Sequence, residues 1–169
     1  SHIIGDAHPV VSVLRGLSAP VKLEINRSID ELAALAQFDD DGVNRWDALQ
    51  SLYIESIRIL ISKRKHSIFT TLSHVVGFLI TNVSDVIDPA CLAEMLSLPQ
   101  DNILWDEFQP ADPQIIVKAR NELKGYLARA LHFEWKHLFD AMTLNEKYAP
   151  TASQIGKRSL RLLALSYLA

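Results

Sequence analysis

The feature that most constrains the fold is an apolar helical pattern over residues 42–66, GVNRWDALQSLYIESIRILISKRKH. A first set of apolar side chains recurs at steps of three and four residues, which places them on one face of a helix: Trp46, Leu49, Tyr53, Ile57, Leu60 and Ile61. Three more apolar residues, Leu52, Ile54 and Ile59, lie off that face. A helix that is apolar on two sides must be covered on two sides. The segment is therefore predicted to be the buried central helix of a helical array.

The composition restricts the class of protein. The chain has 169 residues, of which 49% are hydrophobic and 22% charged, and this is ordinary for a soluble globular domain or for part of a larger one. A net charge of -3 argues against a nucleic-acid partner, which attracts basic surfaces. The sequence has no apolar run of the roughly 20 residues that a membrane helix needs, so no membrane partner is expected. The single cysteine, Cys91, excludes an internal disulfide and fits a cytoplasmic location.

Residues 1–27 differ from the rest of the chain because they favour extended structure. Two apolar runs occur here, and in the second one Val21, Leu23 and Ile25 alternate with polar residues, as in a half-buried strand. Gly16 and Pro20 separate the two runs. Two short strands are only marginally stable alone. They are predicted to pack on the helices or to belong to a sheet supplied by something else.

Helix start signals divide residues 28–169. Ser28 with Glu31, and Thr151 with Gln154, have the spacing of capping boxes. At Asp88-Pro89 and Asp112-Pro113 the aspartate is predicted to cap a helix and the proline to take its first position. Ser67 is predicted to cap a further helix. Residues 100–111 are predicted to form a loop that tucks Trp105 and Phe108 into a groove, and residues 113–142 one long helix, weakened at Gly125.

Two charged runs have structural explanations. The aspartates at 39–41 lack the alternating ligands and the glutamate at position twelve of a calcium loop, whereas they suit the positive N-terminal end of the next helix. The basic residues at 63–66 likewise suit the negative C-terminal end of that helix.

The run HFEWKH is the one sequence that resembles a metal site. His132 and His137 are five residues apart, which rotates them about 140° around a helix, whereas the zinc-peptidase helix spaces its histidines by four. Glu134 shares a face with His137, which favours a salt bridge or hydrogen bond. A metal-dependent hydrolase built on this run is therefore improbable. No catalytic, cofactor-binding or metal-binding residue is predicted in the chain.

Four runs resemble the bacterial aminopeptidase N family, the zinc-dependent aminopeptidases of the gluzincin class. They occur in the family's order and span nearly the whole chain: LRGLSAPVKLE (14–24), NRWDALQSL (44–52), IDPACLAEMLSLPQ (87–100) and IGKRSLRLLALSYLA (155–169). One departure is Val43, where a phenylalanine is expected. The resemblance implies a mainly all-α fold, an α-superhelix of ARM-HEAT-like helix pairs with a short N-terminal β remnant. Residues 1–27 correspond to the end of the β-sandwich domain or a linker, and residues 28–169 to the first part of the C-terminal superhelix.

The resemblance also implies a function for a longer parent protein. The parent removes N-terminal amino acids from peptides and holds zinc, but the family's His-Glu-x-x-His helix, its glutamate ligand and its Gly-x-Met-Glu-Asn loop lie upstream of this region. The chain alone is therefore expected to be inactive and without a cofactor. Its expected role is to shape and enclose the catalytic chamber, with the parent's catalytic and β-sandwich domains as partners and the parent's peptide substrates nearby.

The last residues suggest an incomplete surface. The leucines at 160, 162, 163, 165 and 168 continue an apolar pattern up to Ala169, as expected of a chain cut from something longer. Self-association through this end is expected, because terminal repeats normally carry a polar outer face. The alternative is a free-standing helical-repeat module that binds partners on its concave face.

Overall fold

The computed structural model describes residues 27–64, 67–82, 88–144 and 147–169, and within these ranges it contains eight helices and no strand. The mainly all-α prediction is confirmed. The predicted strands lie outside the described residues, which begin at the predicted boundary, residue 27. No helix in the described ranges is long and apolar enough to cross a membrane. The helices are α1 (Ile29–Phe38), α2 (Gly42–Ile61), α3 (Ile68–Thr81), α4 (Pro89–Leu96), α5 (Asp101–Phe108), α6 (Pro113–Ala130), α7 (His132–Ala141) and α8 (Ala152–Leu168).

Helix α2 is the central helix, as its two-sided apolar pattern predicts. It packs against α1, α3, α4 and α6, while α8 packs against α4, α6 and α7. Leu49, Leu52, Tyr53 and Ile57 on α2 are fully buried. The prediction that Trp46 belongs to this buried set is wrong, because 38% of its surface is exposed. None of residues 42–47, at the start of α2, is buried. Periodicity gives the angle of a residue around a helix but not the depth of its turn in the array.

The predicted end of α2 at residue 66 is also wrong, because the helix ends at Ile61. Lys63 adopts a positive φ of 52°. Its N–H donates to the Leu60 carbonyl at 3.1 Å, and the Arg64 N–H donates to the Ile59 carbonyl at 3.2 Å. This pair of bonds is a Schellman motif, which usually has glycine at the left-handed position. Because lysine takes that place, no residue typical of a helix end marks the end of α2.

The predicted start signals are mostly confirmed. The Ser28 capping box is complete. Asp88 accepts from the Ala90 N–H and Asp112 from the Gln114 N–H, and a proline takes the first position of each helix. Asp41 caps α2 by accepting from the Val43 and Asn44 N–H groups, which supports the structural explanation of the aspartates.

Two other predicted caps differ in detail. Ser67 precedes α3 without a side-chain cap. Thr151 caps α8, but Gln154 does not reach back to it. Its Oε1 instead accepts from the Ala149 N–H at 2.9 Å, and its Nε2 donates to the Lys147 carbonyl at 3.1 Å. Gln154 thus fixes the segment that precedes α8.

The predicted loop at 100–111 is wrong, because residues 101–108 form α5. Leu104 and Phe108 are four residues apart and both buried, as helical spacing requires, so Phe108 is placed as expected. Trp105 is exposed rather than tucked into a groove. A helix of eight residues contains only two turns, too few for a periodic pattern to be recognised.

The predicted single helix at 113–142 is divided at Leu131, whose φ of -122° and ψ of 28° are not helical. The break lies six residues after Gly125, where some weakness was expected. Beyond the break, the Trp135 indole donates to the Leu127 carbonyl at 3.3 Å. Its ring stacks on Tyr167 of α8, with centroids 4.1 Å apart. Leucine and histidine are not helix breakers, so tertiary packing has overridden local propensity here.

Two close contacts hold α8 against α4. A Cβ atom built on Gly156 would lie 2.8 Å from the backbone nitrogen of Ala90, so only glycine fits between these helices. The hydroxyls of Tyr53 and Tyr167 both donate to the Leu96 carbonyl, at 3.3 and 3.4 Å. Burial raises the pKa of both tyrosines, because the phenolate form is poorly solvated there.

Candidate interaction surface

The run that resembled a metal site does not form one. His132 and His137 are exposed at the start and middle of α7, and Glu134 lines a shallow groove between α3 and α7 together with His74. Within the described ranges, no three histidine, cysteine, aspartate or glutamate side chains lie close enough to hold a metal ion. These residues therefore do not fit a zinc ion, and no catalytic step is assigned to them.

The outer side of α8 is the most distinctive surface of the described chain. Ile155, Arg158, Leu162 and Leu165 follow one another at steps of three and four residues, which aligns them along one face of the helix. Leu162 is 67% exposed and Leu165 45% exposed, which is unusual for neighbouring leucines on one helix. A groove of about 350 Å³ runs beside them. The groove is lined by five residues, called here the α8 outer face: Phe139, Arg158, Arg161, Leu162 and Leu165.

The two arginines of this face are held over aromatic rings. The guanidinium of Arg161 lies 4.3 Å from the centroid of Phe139, and that of Arg158 lies 4.9 Å from the centroid of Tyr148. Arg158 also donates to the Gln154 amide oxygen at 3.2 Å. Stacking on a ring fixes the plane of a guanidinium and leaves its edge N–H groups directed sideways. Both arginines are therefore held in position at the edge of the groove.

Neither arginine has a carboxylate partner among the described residues. The ion pairs within the described ranges involve other cations, on other surfaces. The Nε atom of Arg161 is buried and has no hydrogen-bond partner in the described chain. A buried donor that is left without an acceptor costs free energy, on the order of 1–3 kcal/mol. The face therefore combines exposed apolar area with two arginines that have no carboxylate partner among the described residues.

A second cationic pocket differs from the α8 outer face in the partners of its positive charges. It lies between α6 and α8 and contains Arg120 and Lys124 beside Tyr167. The Nε of Arg120 donates to the Pro99 carbonyl at 2.9 Å and lies 3.6 Å from a carboxylate oxygen of Asp101. Lys124 stands over the Tyr167 ring at 5.5 Å. Arg120 thus has a carbonyl and a carboxylate partner within the chain, whereas neither arginine of the α8 outer face has a carboxylate partner among the described residues.

Sequence reasoning identified the exposed leucines of α8 but not the arginines. The sequence does contain a signal for the two arginines, because Arg158 and Arg161 occur at helical spacing within the apolar stripe of α8. The helix α8 contains three basic residues and no aspartate or glutamate, although the whole chain has a net charge of -3. This local charge asymmetry distinguishes α8 from an ordinary amphipathic helix.

Comparisons with known proteins relate this chain to one part of aminopeptidases. Residues 29–169 match the family described as "Domain of unknown function (DUF3458_C) ARM repeats". Aminopeptidase N of Escherichia coli (strain K12) is 34% identical over 163 residues, which is 95% of this chain and 19% of that protein. Aminopeptidase N of Haemophilus influenzae is 30% identical over 169 residues, again 95% of this chain and 19% of that protein. The chain thus spans about a fifth of the length of the relatives it matches.

A solved structure supports the fold. The crystal structure of Legionella pneumophila aminopeptidase A in complex with aspartic acid superposes with a TM-score of 0.78 at 24% sequence identity. The superposition covers 92% of this chain and 19% of that one. At this identity the likeness shows that the two chains share a helical architecture over the matched region.

Proposed function

Because the chain belongs to the DUF3458_C family of ARM-repeat domains, we propose that it is a non-catalytic helical part of a zinc-dependent aminopeptidase similar to aminopeptidase N. The observation that carries the proposal is the 34% identity to the E. coli enzyme along 95% of this chain. The whole protein removes N-terminal amino acids from peptides, and its zinc is held by residues outside this chain, where the metal supplies a Lewis acid that activates water.

In this proposal the role of the chain is architectural. It shapes and encloses the catalytic chamber, and it contacts the catalytic and β-sandwich domains of the same polypeptide. Two exposed apolar regions support such contacts, namely the start of α2 with Val43 and Trp46, and the outer side of α8. Exposed apolar side chains in clusters are typical of surfaces that other domains cover. A cytoplasmic location is part of the proposal, because the free thiol of Cys91 is exposed and suits a reducing compartment.

A free-standing helical-repeat binding module is the second candidate. The observation in its favour is the groove on the α8 outer face, since helical-repeat proteins bind partners along surfaces of this kind. On the first proposal the isolated chain self-associates through residues 155–169, because Leu162 and Leu165 are exposed to water, whereas a strictly monomeric chain would favour the binding module.

The two candidates predict proteins of different size in the source cells. Antibodies raised against the chain should recover a protein about five times its length, if the 19% coverage of the relatives applies. That protein should contain zinc and hydrolyse an aminoacyl chromogenic substrate, while the purified 169-residue chain should do neither. Recovery of a protein of about 19 kDa without activity would favour the binding module.

A control tests the metal assignment directly. Zinc bound stoichiometrically by the purified chain and lost in His132→Ala or His137→Ala would contradict the non-catalytic role. Aminopeptidase N of E. coli, treated in the same way, serves as the positive control for hydrolysis.

A further inference from the structure

We draw no further inference here: the strongest candidate, the cationic pocket between α6 and α8 that contains Arg120 and Lys124, carries none, because Arg120 already contacts the Pro99 carbonyl and the Asp101 carboxylate and nothing in the structure shows which ligand would occupy the rest of the pocket.

Discussion

The two sides of α8 have similar apolar content but different surroundings. On the inner side, Leu160, Ala164 and Tyr167 are buried against α4 and α7. On the outer side, Leu162 and Leu165 are exposed beside Arg158 and Arg161. The inner side is closed by stacking and a hydrogen bond through Tyr167, whereas the outer side has exposed leucines beside arginines that have no carboxylate partner in the described chain. Apolar residues alone therefore do not distinguish a core from a contact surface, but the polar groups among them do.

The largest effect is expected from emptying the inner side. Trp135→Ala removes the ring that stacks on Tyr167, and Trp135 is fully buried. The free energy of unfolding should fall by about 3–5 kcal/mol, the usual cost of a cavity of this size. Urea denaturation followed by circular dichroism measures it. Trp105→Ala, at an exposed position, is the control, and similar losses in the two variants would contradict the assigned burial.

A pair of leucines on the same helix compares the two sides directly. Leu160→Ala should lower the free energy of unfolding by about 2–5 kcal/mol, because Leu160 is fully buried. Leu162→Ala should change it by less than about 0.5 kcal/mol, because most of that side chain is in water. Equal denaturation midpoints for the two variants would show that the two sides of α8 do not differ in burial.

The close approach of α8 to α4 should be sensitive to a single methyl group. Gly156→Ala places a Cβ near the backbone of Ala90, which forces the helices apart and should cost about 1–3 kcal/mol. Gly42→Ala is the matched control, since a Cβ there meets nothing within 4 Å. A Gly156→Ala variant as stable as the original protein would mean that the two helices are not in contact at this point.

A smaller, pH-dependent effect is expected from the buried tyrosines. Because burial raises the pKa of Tyr53 and Tyr167 above that of the unfolded chain, the folded state holds their protons longer. Stability from this source is present below pH of about 10 and is lost as the pH rises, by up to about 1.4 kcal/mol per pH unit for each tyrosine. Denaturation midpoints between pH 8 and 11 measure it. Tyr167→Phe should reduce the slope, and an unchanged slope in Tyr53→Phe/Tyr167→Phe would contradict this origin.

Much of the fold could be predicted because helix starts have local chemical signals. Ser28, Asp88, Asp112 and Thr151 cap helices through side-chain acceptors that are visible in the sequence. Helix ends could not be predicted in the same way, because here they depend on tertiary structure. Neither Lys63 in a left-handed conformation nor the break at Leu131 involves a residue that is typical of helix ends.

The candidate surface was only partly predictable for a similar reason. The density of leucines indicated an uncovered side of α8, but the burial of each residue depends on where α4 and α7 pack. For Trp46 the same limitation led to a wrong prediction. The sequence alone does not show that Arg158 and Arg161 lie over Tyr148 and Phe139. It also does not show that they have no carboxylate partner in the described chain.

Hydroxyl-radical footprinting with mass spectrometry tests the contrast between the two sides most directly, because it measures the exposure of each side chain in solution. Tyr167 and Tyr148 have the same intrinsic reactivity, yet Tyr167 is buried and Tyr148 is 74% exposed. Rapid oxidation is expected at Tyr148, Leu162 and Leu165, and protection at Tyr167 and Leu160. Oxidation of Tyr167 as fast as Tyr148, or protection of Leu162 equal to that of Leu160 in the dilute chain, would contradict this expectation.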